Sequence, residues 1–167
     1  MSQTTLLPRS EIPIEETWNL ESIFPTVKAW EKGLNEAQAL IPGIAVFQGK
    51  LSEGPEILLK AFDAVENLYR KALNVMVYGM LSSSVDTTDQ AAVARAGQGR
   101  SIFVKATAAA AFMEPELLAI GFKTLHQWMD EEPRLAVYAH YFDSLERGQK
   151  HVRSKEIEEV LAMAGEP

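Results

Sequence analysis

Histidine is the first residue type to inspect, because it serves both as a metal ligand and as a proton carrier near neutral pH. The sequence contains three: His126, His140 and His151. They form neither a His-Glu-x-x-His motif nor any other pair at the spacing of helical metal ligands, and a zinc site needs about three convergent ligands. His126 and Asp130, one helical turn apart, would bind a metal only weakly. An ordinary histidine on a helix surface is the favoured interpretation.

The acidic residues occur mainly in consecutive runs. These runs are Glu15-Glu16, Asp130-Glu131-Glu132 and Glu158-Glu159. Acid–base catalysis by carboxylates needs two groups in different environments across a cleft, and consecutive residues do not demonstrate such an arrangement. Solvent-exposed helix faces are the favoured interpretation of all three runs.

Two further patterns resemble catalytic or cofactor-binding motifs only in part. Ser82-Ser83-Ser84 lacks the flanking glycines of a nucleophile elbow, so a capping or loop role is favoured over a nucleophile. Gly97-Gln98-Gly99-Arg100 lacks the third glycine and the preceding strand of a dinucleotide-binding loop. Neither pattern predicts an active site.

Basic and aromatic residues form two candidate binding surfaces. Residues 147–155 carry basic side chains and no acidic one, which fits either a nucleic-acid patch or a helix C-terminus followed by a linker. The second interpretation is favoured because the chain as a whole is acidic. Trp18, Phe24 and Trp30 predict either a ligand cage or, as the favoured interpretation, a small core that anchors the N-terminal segment to the helices.

Helices are the elements that must position these residues. Apolar side chains recur at spacings of three and four residues from Val27 onward, and strand-like alternation is almost absent. The sequence therefore predicts an all-α fold, an elongated bundle of about six helices with long antiparallel helices in the first half. Pro42-Gly43 is expected to end the first helix, and residues 44–47 to form an extended link. The predicted helices cover residues 26–41, 55–83, 88–113, 115–128 and 133–145, with a last helix from Ser154.

Composition limits the classes of function. The 167 residues include no cysteine, which excludes disulfides, thiolate metal sites and a cysteine nucleophile. The formal net charge of −7 has the wrong sign for a protein that mainly binds phosphate backbones or anionic lipid. The N-terminus does not look like a secretory signal, and no apolar run is long enough to span a bilayer. A cytoplasmic location is expected.

An ordered set of short stretches resembles a known family. The set starts with Trp18-Asn19-Leu20-Glu21-Ser22-Ile23-Phe24-Pro25 and Trp30. It continues with Phe47-Gln48-Gly49-Lys50-Leu51, Tyr78, Asp86-Thr87-Thr88-Asp89, Pro115-Glu116-Leu117-Leu118, Tyr138-Ala139-His140-Tyr141 and residues 147–158. In this order the stretches resemble the N-terminal region of oligoendopeptidase F, in the thimet oligopeptidase-like family of zinc metallopeptidases.

The resemblance implies where the chemistry of such a protein lies. In that family the two histidines of His-Glu-x-x-His and a later glutamate hold Zn²⁺, and the motif glutamate activates the bound water. None of those residues matches a position in this sequence, so no catalytic, cofactor-binding or metal residue is carried over. Zinc is expected in the full-length parent and not in this chain. The expected division is a leader over residues 1–25 with a Trp/Phe anchor, and a helical N-terminal domain over residues 26–167.

Two functions are compatible with these features. The leading hypothesis is a non-catalytic domain that forms one wall of a channel admitting short unfolded peptides, with the catalytic half of the parent as its partner. Which residues face the substrate channel is unknown. The alternative is a stand-alone helical scaffold that binds a protein partner and has no hydrolytic activity. No nucleic-acid or membrane partner is expected. A domain cut from a larger protein should expose an apolar patch, through which the isolated chain would form a homodimer.

Overall fold

The structure of the chain is a computed structural model that describes residues 11–149. Six α-helices dominate it, and the described residues contain no β-strand. The predicted all-α fold is therefore confirmed. The helices are α1 (Val27–Ile44), α2 (Pro55–Val85), α3 (Gln90–Ala109), α4 (Met113–Ile120), α5 (Phe122–Glu131) and α6 (Ala139–Gln149). Within the described part of the chain, no helix is long and apolar enough to cross a membrane.

The chain divides into two compact units. The described part of the first unit comprises residues 11–48 and 61–112, and that of the second unit comprises residues 49–60 and 113–149. Helix α2 begins in the second unit and continues into the first. Fully buried apolar side chains occur in both units, for example Val75 in the first and Leu125 in the second.

In the first unit, α1 packs against α2 in the antiparallel sense that the sequence predicts. The indole Nε1 of Trp30 donates a hydrogen bond to the backbone carbonyl of Val75 over 2.9 Å. Further along α1, the Glu36 carboxylate lies 2.7 Å from Nζ of Lys71, which precedes Val75 in α2. Because later residues of one helix meet earlier residues of the other, the two helices run in opposite directions.

Helices α2 and α3 approach each other closely at two glycines. A Cβ atom at Gly79 would lie 2.8 Å from the backbone oxygen of Arg95, and one at Gly99 would lie 2.8 Å from the Cα of Met76. Since real Cβ atoms do not come this close to backbone atoms, only glycine permits this helix spacing. The order of the contacts makes these helices antiparallel as well. A Cβ at Gly97, by contrast, would have nothing within 4 Å.

The end of α1 differs from the prediction. Thr26 is the N-cap, and its hydroxyl accepts a hydrogen bond from a backbone amide of the first turn over 3.1 Å. The helix nevertheless continues through Pro42 and Gly43 to Ile44, and residues 45–47 form a 3-10 turn instead of an extended link. Pro42 is exposed, so water can bond the carbonyl that its missing N–H leaves free, and the helix gains the burial of Ile44.

The second unit contains shorter helices than the pattern predicts. The helix expected over residues 115–128 is two helices, α4 and α5, because Gly121 between them has a φ of +84°, which interrupts the α-helical backbone. The helix expected from Pro133 starts as a 3-10 helix (Pro133–Tyr138) and becomes α-helical only in α6. The last predicted helix, from Ser154, lies outside the described residues.

Candidate functional site

The structure brings His126 to two carboxylates that the sequence does not associate with it. Ligand atoms of His126, Asp143 and Glu146 lie within 4.8 Å of one another. His126 lies on α5, and the two acids lie one helical turn apart on α6. Asp130, the partner considered from the sequence, is not a member of this group, and His140 is exposed on α6 outside it.

Buried apolar residues next to His126 and Asp143 fix the positions of the two helices that carry this group of three side chains. Leu125 precedes His126 in α5, Phe142 precedes Asp143 in α6, and both apolar side chains are fully buried. The two helices pack against each other within the second unit. Each polar residue is therefore attached to a helix whose position the core sets, while its own side chain reaches solvent.

Among the acidic runs, Glu132 makes a defined ion pair. Its carboxylate accepts hydrogen bonds from Nε and Nη2 of Arg134 over 2.8 and 2.6 Å, and a third from the Arg134 amide over 3.2 Å. These bonds lower the pKa of the Glu132 carboxyl to about 2. A general acid near neutral pH needs a raised pKa, so Glu132 is suited to capping the 3-10 helix and not to proton transfer. Glu158 and Glu159 lie outside the described residues.

The serine run and the glycine pair both lie inside helices. Ser82, Ser83 and Ser84 donate their hydroxyl hydrogens to α2 backbone carbonyls about one turn earlier, over 2.7–2.9 Å. Residues 97–100 belong to α3, so they do not form a phosphate-binding loop. Neither pattern has the geometry of an active site.

The aromatic residues of the N-terminal segment pack against α2. The rings of Phe24 and Tyr78 meet edge to face with centroids 5.7 Å apart, and Trp30 stacks on Tyr78 at 6.5 Å. Trp18 is 61% exposed. Two of the three predicted residues thus share a packed contact, and the three do not enclose a ligand. The division at residue 25 stays a prediction.

Side chains of the loop before α3 cap that helix. The Asp89 carboxylate accepts hydrogen bonds from the amides of Ala91 and Ala92 over 2.9 and 3.1 Å. Asp86 accepts bonds from the hydroxyl and amide of Thr88, which lower the pKa of its carboxyl. Both carboxylates are used to shape the turn.

The basic stretch over residues 147–155 is described only as far as residue 149. Arg147 lies in the last turn of α6, where a cation favours the negative end of the helix. The other basic residues of this stretch, and His151 with them, lie outside the described residues.

Glu116 joins two segments of the second unit, and the sequence reasoning missed it. Its carboxylate oxygens accept hydrogen bonds from the amides of Gly49 and Leu51 over 2.6 and 3.3 Å. Gly49 has a φ of +79°, a conformation that glycine adopts without strain. The sequence gives little indication of this contact, because acidic residues are common in the first turn of any helix, where they interact favourably with the helix dipole.

An open cleft of about 460 Å³ lies in the first unit, lined by residues of α1 and α3. Val27 and Leu34 supply apolar surface, Glu31 supplies an anion and Arg95 supplies a cation. The buried Nε of Arg95 has no hydrogen-bond partner among the described residues, and its Nη2 is 3.7 Å from the Asp89 carboxylate. The cleft therefore combines apolar surface with a loosely paired guanidinium.

Sequence comparison relates the chain to oligopeptidases. The profile of the Oligopeptidase F family matches residues 116–167. Oligopeptidase PepF of Bacillus subtilis (strain 168) is 30% identical over 158 residues, which cover 95% of this chain and 24% of that protein. The plasmid oligoendopeptidase F of Lactococcus lactis subsp. cremoris is 29% identical over 159 residues, covering 95% of this chain and 26% of that protein.

Structural comparison gives the same relationship. The crystal structure of oligoendopeptidase-F from Enterococcus faecium matches with a TM-score of 0.70 and 29% identity, over 84% of this chain and 28% of that one. The chain belongs to the oligoendopeptidase F family. It corresponds to the N-terminal region and spans about a quarter of the length of the curated relatives that it matches. A putative peptidase from Chlamydophila abortus shares the fold, with a TM-score of 0.77 and 23% identity over 96% of this chain and 27% of that one.

The zinc that the oligoendopeptidase F resemblance implies has no ligand set in this chain. The 167 residues contain no His-Glu-x-x-His sequence. The group around His126 holds a single histidine, so it does not supply the two imidazoles of that motif. The residues present do not fit the catalytic zinc of the family, and no step of peptide hydrolysis is assigned to them.

Several stretches that carry the oligoendopeptidase F resemblance meet in space. Phe24 and Trp30 of the first stretch lie against Tyr78, and Glu116 binds the backbone of Gly49 and Leu51. These residues pack helices or hold turns. At these positions the residues that carry the resemblance maintain the fold.

Proposed function

We propose that this chain is the non-catalytic N-terminal helical domain of an oligoendopeptidase F-like zinc metalloendopeptidase, and that it forms one wall of a channel for short unfolded peptides. One observation carries the proposal: 95% of the chain aligns with about a quarter of the length of proteins named oligopeptidase PepF or oligoendopeptidase F. The remaining part of such a protein is the proposed partner and holds the His-Glu-x-x-His helix with its Zn²⁺. A cytoplasmic location remains a prediction.

Exposed apolar side chains support docking of that partner on the first unit. Leu73 and Met80 are exposed two turns apart on α2, and Val93 and Val104 are exposed three turns apart on α3. Each pair thus shares one side of its helix, and the two helices touch at Gly79 and Gly99. We call these four residues the α2–α3 apolar face. A domain that works alone has little use for such a face, whereas a contact with the catalytic part would bury it.

The cleft on α1 and α3 supports contact with peptides. Its volume of about 460 Å³ falls within the range of small-ligand sites, roughly 300–1,000 Å³. Apolar surface beside the Arg95 guanidinium and the Glu31 carboxylate suits an extended peptide that carries charged groups of both signs. Short peptides are therefore the proposed substrates of the full-length protein.

The absence of catalysis is tested on the 167-residue chain. The chain is incubated with a quenched-fluorescence oligopeptide and ZnCl₂, with the full-length Bacillus subtilis relative as the positive control. We expect no cleavage by the chain and rapid cleavage by the relative. Zinc-dependent turnover by the chain itself would contradict the proposed division of labour.

The existence of a catalytic part is tested by reading the coding frame past codon 167. We expect the frame to continue and to encode His-Glu-x-x-His. A stop codon directly after Pro167 would instead favour the stand-alone scaffold that binds a protein partner.

The proposed role of this region as a channel wall is tested in the full-length protein with a short peptide that carries a photoreactive side chain. Mass spectrometry should find cross-links to the α1–α3 cleft, and competition by an unlabelled peptide should abolish them. Cross-links confined to residues beyond 167 would contradict a role for this region in the channel.

A further inference from the structure

We propose that His126, Asp143 and Glu146 form a binding site for a divalent transition-metal ion, which links α5 to α6 in the second unit. The site is made entirely by side chains of this chain. The proposal does not depend on the peptidase assignment, because it concerns metal binding and helix pairing and not hydrolysis.

The donor set indicates the class of ion. One imidazole nitrogen and two carboxylate oxygens suit Zn²⁺, Co²⁺ and related first-row ions, which accept mixed nitrogen and oxygen ligands. Ca²⁺ and Mg²⁺ prefer oxygen donors alone. Three protein ligands leave at least one coordination position, which water would occupy.

The spacing of the ligand atoms is close to that required. A bound Zn²⁺, about 2.0–2.2 Å from each ligand, places ligand atoms roughly 3–3.5 Å apart, compared with a present separation of up to 4.8 Å. Side-chain rotation can close this gap, because His126 and Asp143 are exposed and Glu146 is only half-buried. No backbone movement is needed, since the buried side chains of Leu125 and Phe142 already hold the two helices together.

The electrostatics favour a cation at this position. Within residues 11–149, neither Asp143 nor Glu146 has an ion pair at 4.0 Å or less. Arg147, the cation that follows them, donates instead to the backbone carbonyl of Asp143 over 3.2 Å and lies 3.4 Å from the Ser144 hydroxyl. Two neighbouring carboxylates therefore lack a partner in the described structure, and a divalent ion would neutralise both.

A direct imidazolium–carboxylate pair is the competing explanation for the group. In the described structure no carboxylate lies within 4.0 Å of the His126 imidazole nitrogens. One ligand atom of each of the three side chains lies within 4.8 Å of the other two, a group that an added ion would complete.

The site is tested by calorimetric titration of the 167-residue chain with ZnSO₄ and separately with MgCl₂. We expect saturable binding of one Zn²⁺ and no comparable binding of Mg²⁺. His126→Ala, Asp143→Asn and Glu146→Gln should each weaken Zn²⁺ binding by about tenfold or more, because each removes or weakens one of only three protein ligands. Circular dichroism of each variant checks that the helices remain folded.

Matched variants separate this group from other zinc ligands. His140→Ala removes the exposed neighbouring histidine, Asp130→Asn removes the acid one turn from His126, and His151→Ala removes the remaining histidine. All three should leave the Zn²⁺ affinity within about twofold of the wild-type value. As a second readout, Zn²⁺ should shift the side-chain nitrogen resonances of His126 in NMR spectra. Absence of saturable binding, or a loss caused by the control variants and not by the three ligand variants, would overturn the proposal.

Discussion

The two units of this chain are stabilised in different ways. In the first unit, long helices meet at backbone distance, with Gly79 and Gly99 as the points of closest approach, and Trp30 donates directly to the α2 backbone. In the second unit the helices are short, and carboxylates hold the turns, with Glu116 and Glu132 as the clearest cases.

The difference shows where chemistry can arise in a helical domain. A contact that depends on glycine and apolar packing leaves no polar side chain at the point where the helices are closest, and the polar atom of the described first unit that is buried without a hydrogen-bond partner is the Nε of Arg95. Turns held by side chains keep polar residues at the helix ends. The second unit also contains the one group of three or more potential metal ligands among the described residues, whose members His126, Asp143 and Glu146 lie within α5 and α6.

The strongest test of the packing in the first unit is Gly99→Ala. The new Cβ would lie 2.8 Å from the Met76 Cα and 3.0 Å from the Val75 carbonyl oxygen, so α2 and α3 must separate. We expect the free energy of unfolding to fall by about 2–3 kcal/mol, measured by urea denaturation.

Gly97→Ala is the matched control, two residues away on the same helix. A Cβ there has nothing within 4 Å, so the substitution should raise the free energy of unfolding by about 0.5–1 kcal/mol through helix propensity alone. Equal effects at the two positions would show that close backbone approach does not distinguish Gly99.

The corresponding test in the second unit is Glu116→Ala. This change removes the acceptor for the amides of Gly49 and Leu51, and we expect a loss of about 1–2 kcal/mol because the bonds are charge-assisted but partly exposed. Amide hydrogen exchange should speed up at Gly49 and Leu51. Glu114→Ala, an exposed acid on the same helix, should change neither quantity appreciably.

Sequence periodicity predicts the first unit better than the second. The stripes on α1 and α2 repeat over many turns, so the type and approximate extent of these helices follow from spacing. Where the helices are short, as in the second unit, a single backbone dihedral angle decides where a helix ends. The φ of +84° at Gly121 divides one predicted helix into two. The sequence pattern alone does not show whether a glycine within a helical segment will adopt such a φ.

The site residues were harder to predict than the fold. His126 and Glu146 are 20 positions apart, and nothing in their spacing shows that α5 and α6 will pair at that register. Glu116 is 67 residues from Gly49, and the contact depends on a turn whose geometry is not encoded by periodicity. Local patterns identify helices and caps, whereas contacts between distant residues require the packed structure.

A third prediction concerns the α2–α3 apolar face of the isolated chain. Without the proposed catalytic part to cover Leu73 and Val104, which are 44% and 58% exposed, a second copy of the chain should do so. Analytical ultracentrifugation should show concentration-dependent dimers, and the double variant Leu73→Lys/Val104→Lys should weaken dimerisation by about tenfold or more.

The control for dimerisation lies in the second unit. Val137 is 78% exposed but does not belong to the apolar face, so Val137→Lys should leave the dimerisation constant unchanged. A monomeric wild-type chain, or equal weakening by both changes, would remove the apolar face as the contact surface.

The smallest expected effect concerns the ion pair at Glu132. Hydrogen bonds from Arg134 lower the pKa of the Glu132 carboxyl to about 2 in the folded chain, whereas an unperturbed glutamate has a pKa of about 4.3. Because the folded pKa is the lower one, the ion pair stabilises the fold above about pH 4.3, and this contribution is lost as the pH falls toward 2.

Carbon-detected NMR titration should give Glu132 a midpoint near 2, and Arg134→Gln should move it toward 4.3. Arg147→Gln, which removes another cation of the second unit, should leave the midpoint in place. An unshifted midpoint in the wild-type chain would show that side-chain charge does not hold this turn, and would weaken the contrast between the two units.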